Sequence, residues 1–360
     1  MVEDHKIKEN LAAGVEAAVS SFEITLSSDE ASDIKEGLSM IKYDSHGGDG
    51  YVSAVRVAAY KCMPQRILDI LEKQKSAKLL SPYFIFNNLP IDSQINGSPS
   101  FDETGALFKS GNLSENVICA IAAIIGEPYS IYFEGRELVN NLTPQKDTKH
   151  DYTGLGSEVE LDLHIENSAL KYMSEDDCSP RGMFLLGIRK DINAIGPKTF
   201  VSDSREALKL LDQNDIETLY GNNFIVRLPY RWRSAFSGGK ENTDLSPMIS
   251  GPISLPRISA VFYPDMVLPV NDRAKKAFDR LYQAMRSVSV GVDITPGKLV
   301  YIDNRFVLHS REKYYPTYDQ NDRPYRWVQR LFVTSSLWNF RKFTSTSGNG
   351  GRVFDPSIVN

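Results

Sequence analysis

In the stretch SEVELDLHIEN, Val159, Leu161, Leu163 and Ile165 alternate with Glu160, Asp162, His164 and Glu166. This is the period-two pattern of a strand, which projects His164 and Glu166 from one face, one pleat apart. An imidazole nitrogen and a carboxylate oxygen so placed can take adjacent corners of one metal's coordination sphere. Alone, the pair is a common pattern in an acid-rich chain, and a solvated strand face accounts for it equally well. A second segment, PGKLVYIDNRFVLHSREKYYPTYDQNDRPYRWVQRLFV, adds to it. There a strand over 298–302 runs into a turn at Asp303 and Asn304, and His309 follows just beyond. Two ligands from one strand and a distant His from a later one make a 2-His-1-carboxylate set, which leaves one face of an Fe(II) ion open for co-substrate and O2. The same side chains also suit Zn2+ in a hydrolase, or a metal kept without turnover by a binding protein. The chain has no HExxH, and a zinc hydrolase gives no role to the arginines downstream. Those are Arg326 and Arg330, which share a strand face with Val328 and so aim two guanidinium groups where a dicarboxylate needs a bidentate partner.

The elements that must carry these residues are mostly short strands. From about residue 129 the runs YSIYF, EVELDLHIE, MFLLGI, NFIVRLPY, ISAVFY, KLVYID and WVQRLFVTSSL are separated by turn signals, with one helix over 270–288 before the last strands. That spacing predicts a mainly β protein with flanking helices (α+β) and an antiparallel jelly-roll core, a double-stranded β-helix. Ahead of it lie helix-prone segments. IKENLAAGVEAAVSSF and SSDEASDIKEGL form an acidic leader, 51–76 follows the Gly-rich break HGGDG, and LSENVICAIAAIIG reads as a buried helix ended by Gly126 and Pro128. SPYFIFNNLP is a short strand closed by Asn and Pro. The division expected is a helical leader or arm at 1–45, a single jelly-roll domain at 46–345 and a tail at 346–360. Residues 234–252 read as a loop with little to pack, which makes them a candidate lid together with the N-terminal helices.

Composition excludes several classes. At 41% apolar and 24% charged residues the chain of 360 is not disordered. Forty-six acids against forty-one bases, with no Lys/Arg block, argue against a nucleic-acid partner. No apolar run approaches the ~18 residues needed to cross a bilayer, and the N-terminus is polar, so a cytoplasmic protein without a membrane partner is expected. Cys62, Cys119 and Cys178 are odd in number and far apart, which suits a reducing compartment and offers no disulfide framework or metal knuckle. His5, His46 and His150 sit in polar or Gly-rich segments and read as ordinary.

Taken together, LGSEVELDLHIENSAL, LVYIDNRFVLHSR and RWVQRLFV resemble the clavaminate-synthase-like branch of the Fe(II)/2-oxoglutarate-dependent oxygenases. The likeness is greatest to the free-amino-acid hydroxylases acting on arginine, lysine and asparagine, and runs over roughly residues 80 to 335, with FIFNNLP, ELVNNLTP and MFLLGIRKD as weaker stretches. It implies His164, Glu166 and His309 as iron ligands, and O2 and 2-oxoglutarate as co-substrates. It implies Arg326 as the 2-oxoglutarate partner, Thr199 in KTFVSDSRE as a helping hydroxyl, and Arg330 at the same pocket or on the substrate carboxylate. The usual spacing from the distal His lands on Arg323 instead. Pro324 would interrupt a ladder starting there, so Arg326 is favoured, with three residues inserted in the preceding loop. Family members often read a basic side chain with F-D-x-D. In VFYPDMVLP, Phe262 and Asp265 match while Tyr263 replaces the first acid, and Asn140 stands where relatives carry a Gln. The resemblance thus implies hydroxylation of a small-molecule amino acid, lysine or arginine first. A neutral citrulline-like side chain, a carrier-tethered amino acid and desaturation are the alternatives. A carboxylate at Glu166 argues against a halogenating variant. The oligomeric state is not legible.

Overall fold

The computed structural model describes residues 21–77, 81–173, 176–192, 196–233, 240–348 and 350–359. Its layers arise from alternation within the longest strands. In Gly182–Arg189, Met183 and Leu185 enter one core while Phe184, Leu186 and Ile188 enter another. Val300 and Ile302 part from Leu299 and Tyr301 in the same way, as do Val328 and Phe332 from Trp327, Leu331 and Val333. Side chains alternate across a pleat, so a strand buried on both faces must read as a near-continuous apolar run.

These strands belong to a large sheet ordered Phe22–Thr25, Tyr83–Asn87, Leu299–Ile302, Gly182–Arg189, Trp327–Thr334, Glu127–Ile131, Val353–Val359 and Phe343–Ser345, with Asn140–Leu142 also paired to Trp327–Thr334. One of its faces packs under helices Ser28–Ser39, Asp49–Cys62, Gln65–Lys75 and Leu113–Ile125. The last of these is buried at every position, as its apolar run requires. A second, four-stranded antiparallel sheet runs Val290–Val292, Thr199–Asp203, Val307–Arg311, Leu161–His164. Its Leu163 and Val201 join Met183, Leu185, Val300 and Val328 in the other core, together with the buried residues of helix Asp272–Ser287. The protein is therefore mainly β with flanking helices. Among the described residues no helix is long and apolar enough to cross a membrane.

Three segments differ from expectation. Most of the first helix-prone stretch, IKENLAAGVEAAVSSF, lies outside the described residues, but the segment from Phe22 to Ser39 is no loose arm. Phe22–Thr25 pairs in parallel with Tyr83–Asn87. Helix Ser28–Ser39, capped by the reciprocal Ser27–Glu30 box, buries Ile34 and Leu38. The C-terminal residues expected as a tail form the strand Val353–Val359, held between Glu127–Ile131 and Phe343–Ser345. Within the expected loop, 234–239 lie outside the described residues, whereas Met248 and Ile249 are fully buried and Ile249–Ser250 pairs with Arg257–Ile258.

Candidate active site

His309 occupies an inner strand of the small sheet, where it stands in register with His164 on one side and Val201 on the other. The two imidazole centroids are 4.1 Å apart. His164 Nδ1 lies 2.8 Å from the carbonyl oxygen of Asp162. A carbonyl only accepts, so Nδ1 carries the proton and Nε2 keeps its lone pair. Glu166 Oε1 is 3.6 Å from His309 Nε2, and one ligand atom from each of the three residues lies within 4.8 Å of the others. Burial, reinforced by the neighbouring His309, pushes His164 down to about 3, which keeps its ring neutral near pH 7. Burial alone would raise Glu166. Burial is the largest single influence, but the Arg330 guanidinium and the neighbouring His309 ring together outweigh it and hold the carboxyl well below the usual carboxylate range. A neutral imidazole with a free lone pair beside an ionised carboxylate is a donor set that fits a divalent ion.

The route by which Glu166 arrives differs from simple alternation. Arg311 pairs with Leu161 and His309 with His164, so a bulge at Asp162–Leu163 breaks the period ahead of His164. Asp162 turns away to accept a hydrogen bond from Tyr282 Oη at 2.9 Å. Glu166 lies past the end of strand Leu161–His164, and Asn304 fixes it. The Asn304 side-chain oxygen accepts the Glu166 N–H at 2.8 Å, and its amide nitrogen donates to the carbonyls of Glu166 and Pro180, both at 3.1 Å. Asn304 is 1% exposed. Asn304→Ala is expected to weaken divalent-metal binding about 10–100-fold, the range for losing a group that orients a ligand. Titration with Mn2+ or Co2+ checks this, and unchanged affinity would make Asn304 a turn residue only.

Two arginines complete the centre. Arg330 is buried, with Nη1 3.1 Å from Glu166 Oε1 and Nη2 2.9 Å from Glu134 Oε2. Glu134 also accepts from Trp232 Nε1 at 3.0 Å. Arg326, just ahead of the strand Trp327–Thr334 that carries Arg330, lines the cavity that holds the three metal-ligand candidates, as does Thr199. Among the described residues its guanidinium has no hydrogen bond or ion pair, only the ring of Tyr314 at 5.5 Å from its centroid. Arg323 is occupied elsewhere, bidentate to Glu103 at 2.6 and 3.0 Å.

The model of the family described as taurine catabolism dioxygenase TauD, TfdA family, matches residues 100–332, well over half of the chain. The chain belongs to the TauD/TfdA family. Among curated proteins it is 24% identical to L-asparagine oxygenase of Streptomyces coelicolor, over 94% of this chain and 97% of the relative. It is also 24% identical to clavaminate synthase 2 of Streptomyces clavuligerus, over 79% of this chain and 83% of the relative. Among solved structures, asparagine oxygenase in complex with Fe(II), 2S,3S-3-hydroxyasparagine and succinate superposes with a TM-score of 0.78 at 23% identity, over 92% of this chain and 99% of that one.

In this TauD/TfdA member the residues expected on the substrate side part company. Tyr263 lines the cavity with its ring 4.9 Å from that of His164. Asn140 does not line it. Its side-chain oxygen accepts from Arg330 at 3.1 Å and its nitrogen donates to Ser130 Oγ at 2.8 Å, so it steadies Arg330 from behind. Asp265 is also outside the cavity. With φ at +63° its backbone turns the half-exposed carboxylate outward, onto Arg227 and onto Arg233 at 3.5 Å. The carboxylate expected to read a cationic substrate is thus neutralised by the protein's own guanidinium groups. Glu134 and Asn167 were missed. Asn167, next to Glu166, lines the cavity with both side-chain polar atoms buried and without partners. Neither has a pattern around it that separates it from any other Glu or Asn.

Proposed function

We propose that this TauD/TfdA dioxygenase hydroxylates an unactivated C–H of a free L-amino acid, using Fe(II), 2-oxoglutarate and O2. In this reading the two facing sheets form a double-stranded β-helix, and the strands at both ends of the described chain, Phe22–Thr25 and Val353–Val359, belong to the same domain. The observation that carries it is the unpaired buried Arg326, in one cavity with the three metal-ligand candidates and with the Arg330–Glu134 pair. A buried guanidinium without an anion is costly, so its presence anticipates one.

His164, Glu166 and His309 would hold the iron. When bound, iron and 2-oxoglutarate supply the oxidation, in which O2 is consumed, 2-oxoglutarate becomes succinate and CO2, and one oxygen enters the substrate. Arg326 and Thr199 would orient the distal carboxylate of 2-oxoglutarate. Arg330 and Glu134 offer opposite charges side by side, which matches the carboxylate and ammonium of an α-amino acid. The ring of Tyr263 walls the site beside His164 and keeps water from it.

For the side chain, the lining supports a neutral, hydrogen-bonding group before lysine or arginine. The only carboxylates among the described lining residues are Glu134 and Glu166, and both already face Arg330. The same lining includes the neutral polar side chains of Asn167, Ser168, Tyr152 and Tyr230. Asparagine, glutamine and citrulline are therefore the first substrates to test, in competition with lysine and arginine. Asp265→Ala is expected to leave KM for the preferred amino acid within about twofold, as for surface changes. Asn167→Ala is expected to raise it by about 1–3 kcal/mol, the range for a lost buried hydrogen bond. Preference for lysine together with a large loss in Asp265→Ala would restore the basic substrate.

A further inference from the structure

Arg311 is a second buried guanidinium at the co-substrate pocket, with no part in the proposed hydroxylation so far. It lies two residues past His309 on the same strand and stands in register with Thr199 across the sheet. It is 8% exposed and lines the cavity. Only Nη1 has partners, the carbonyls of Ser157 at 3.4 Å and Glu312 at 2.9 Å. Nε and Nη2 are buried with none. The guanidinium groups of Arg311 and Arg326 lie 5.3 and 5.5 Å from the centroid of one ring, that of Tyr314. Two largely buried cations thus share one aromatic support, and among the described residues neither has an ion-pair partner. Leaving both unpaired while buried is unfavourable, whereas a carboxylate between them satisfies unused donors of each.

We propose that Arg311 is the second arm of a two-arginine clamp on the distal carboxylate of 2-oxoglutarate, with Arg326 as the first arm and Thr199 supplying a hydroxyl beside them. The inference rests on the reading of this cavity as the 2-oxoglutarate site. Arg311 acts here as a binding residue, distinct from its carbonyl contacts through Nη1 to Ser157 and Glu312, which hold its side chain whether or not an anion is present.

The test compares 2-oxoglutarate with 2-oxovalerate, which keeps the 2-oxo acid end and replaces the distal carboxylate by a methyl group. Both are titrated calorimetrically into the full chain loaded with Mn2+. Arg311→Gln is expected to weaken 2-oxoglutarate about ten- to a hundredfold, the range for a lost hydrogen bond to a charged group, while leaving 2-oxovalerate unchanged. Should Arg311→Gln fail to fold, Arg311→Lys carries the test. It keeps the charge and loses the fork, so it is expected to lower the preference for 2-oxoglutarate over 2-oxovalerate at least about threefold. An unchanged preference in either variant, or equal weakening of both acids, overturns the clamp and leaves Arg311 a structural tie. Arg326→Gln separates the two levels. If it lowers the preference while Arg311 variants do not, only the clamp fails. If it does not, the 2-oxoglutarate site itself is misread.

Discussion

His309→Ala is expected to leave a folded protein that no longer retains Fe(II), and to remove amino-acid hydroxylation and 2-oxoglutarate consumption together. His309 faces His164 across a strand pair and Glu166 across 3.6 Å, so it is the residue through which the three ligand candidates converge. Without it two ligands remain, and one of them, Glu166, is also held by Arg330. The loss should exceed the about 10–100-fold expected from disturbing a group that only orients a ligand. Metal content after dialysis and Mn2+ titration measure it. His150→Ala, in a polar loop, is the control and should bind metal as the parent does. Retained metal with lost turnover would point to a centre elsewhere.

Arg330→Met is the second large effect. The change keeps the bulk and removes a charge placed between Glu134 and Glu166, each within 3.1 Å of it. Breaking a buried pair from one side leaves uncompensated charge, at about 3–5 kcal/mol of stability. The midpoint of denaturation should fall accordingly. If Arg330 also receives the substrate carboxylate, KM for the amino acid should rise by about 2–5 kcal/mol, while 2-oxoglutarate is still consumed without product. Arg330→Lys should recover stability better than substrate affinity, since an ammonium restores the charge and not the bidentate fork. A fall in stability with unchanged KM would make Arg330 a support of Glu166 alone.

Much of the centre was legible because it rests on local rules. Alternation put His164 and Glu166 together, and a turn followed by a strand returned His309. Pro324 argued against a ladder starting at Arg323, and Arg323 indeed turns away to Glu103. Alternation pairs His164 with Glu166 but omits how Glu166 is held: the strand ends at His164, and Asn304 fixes Glu166 through hydrogen bonds between residues distant in sequence. The features that escaped were tertiary. Asp265 matched a motif position, yet its direction depends on a left-handed backbone and on Arg227 and Arg233, which no spacing announces. Glu134 is one acid among forty-six until the fold brings Arg330 and Trp232 to it. The strands Phe22–Thr25 and Val353–Val359 were hidden for local reasons. The first is four residues beside helix formers, and the second carries Pro356, which reads as a breaker.

The most direct measurement traces isotopically labelled O2 into product. The Fe(II)-loaded protein is given 2-oxoglutarate and a mixture of proteinogenic amino acids with citrulline, and the mixture is resolved by mass spectrometry. The expected result is one L-amino acid with a neutral hydrogen-bonding side chain carrying one added labelled oxygen, matched by one succinate for each product formed, with both signals absent in His309→Ala. Metal bound at the parent's site, with no amino acid oxygenated and no amino acid stimulating succinate release, would contradict amino-acid hydroxylation as the function of this site.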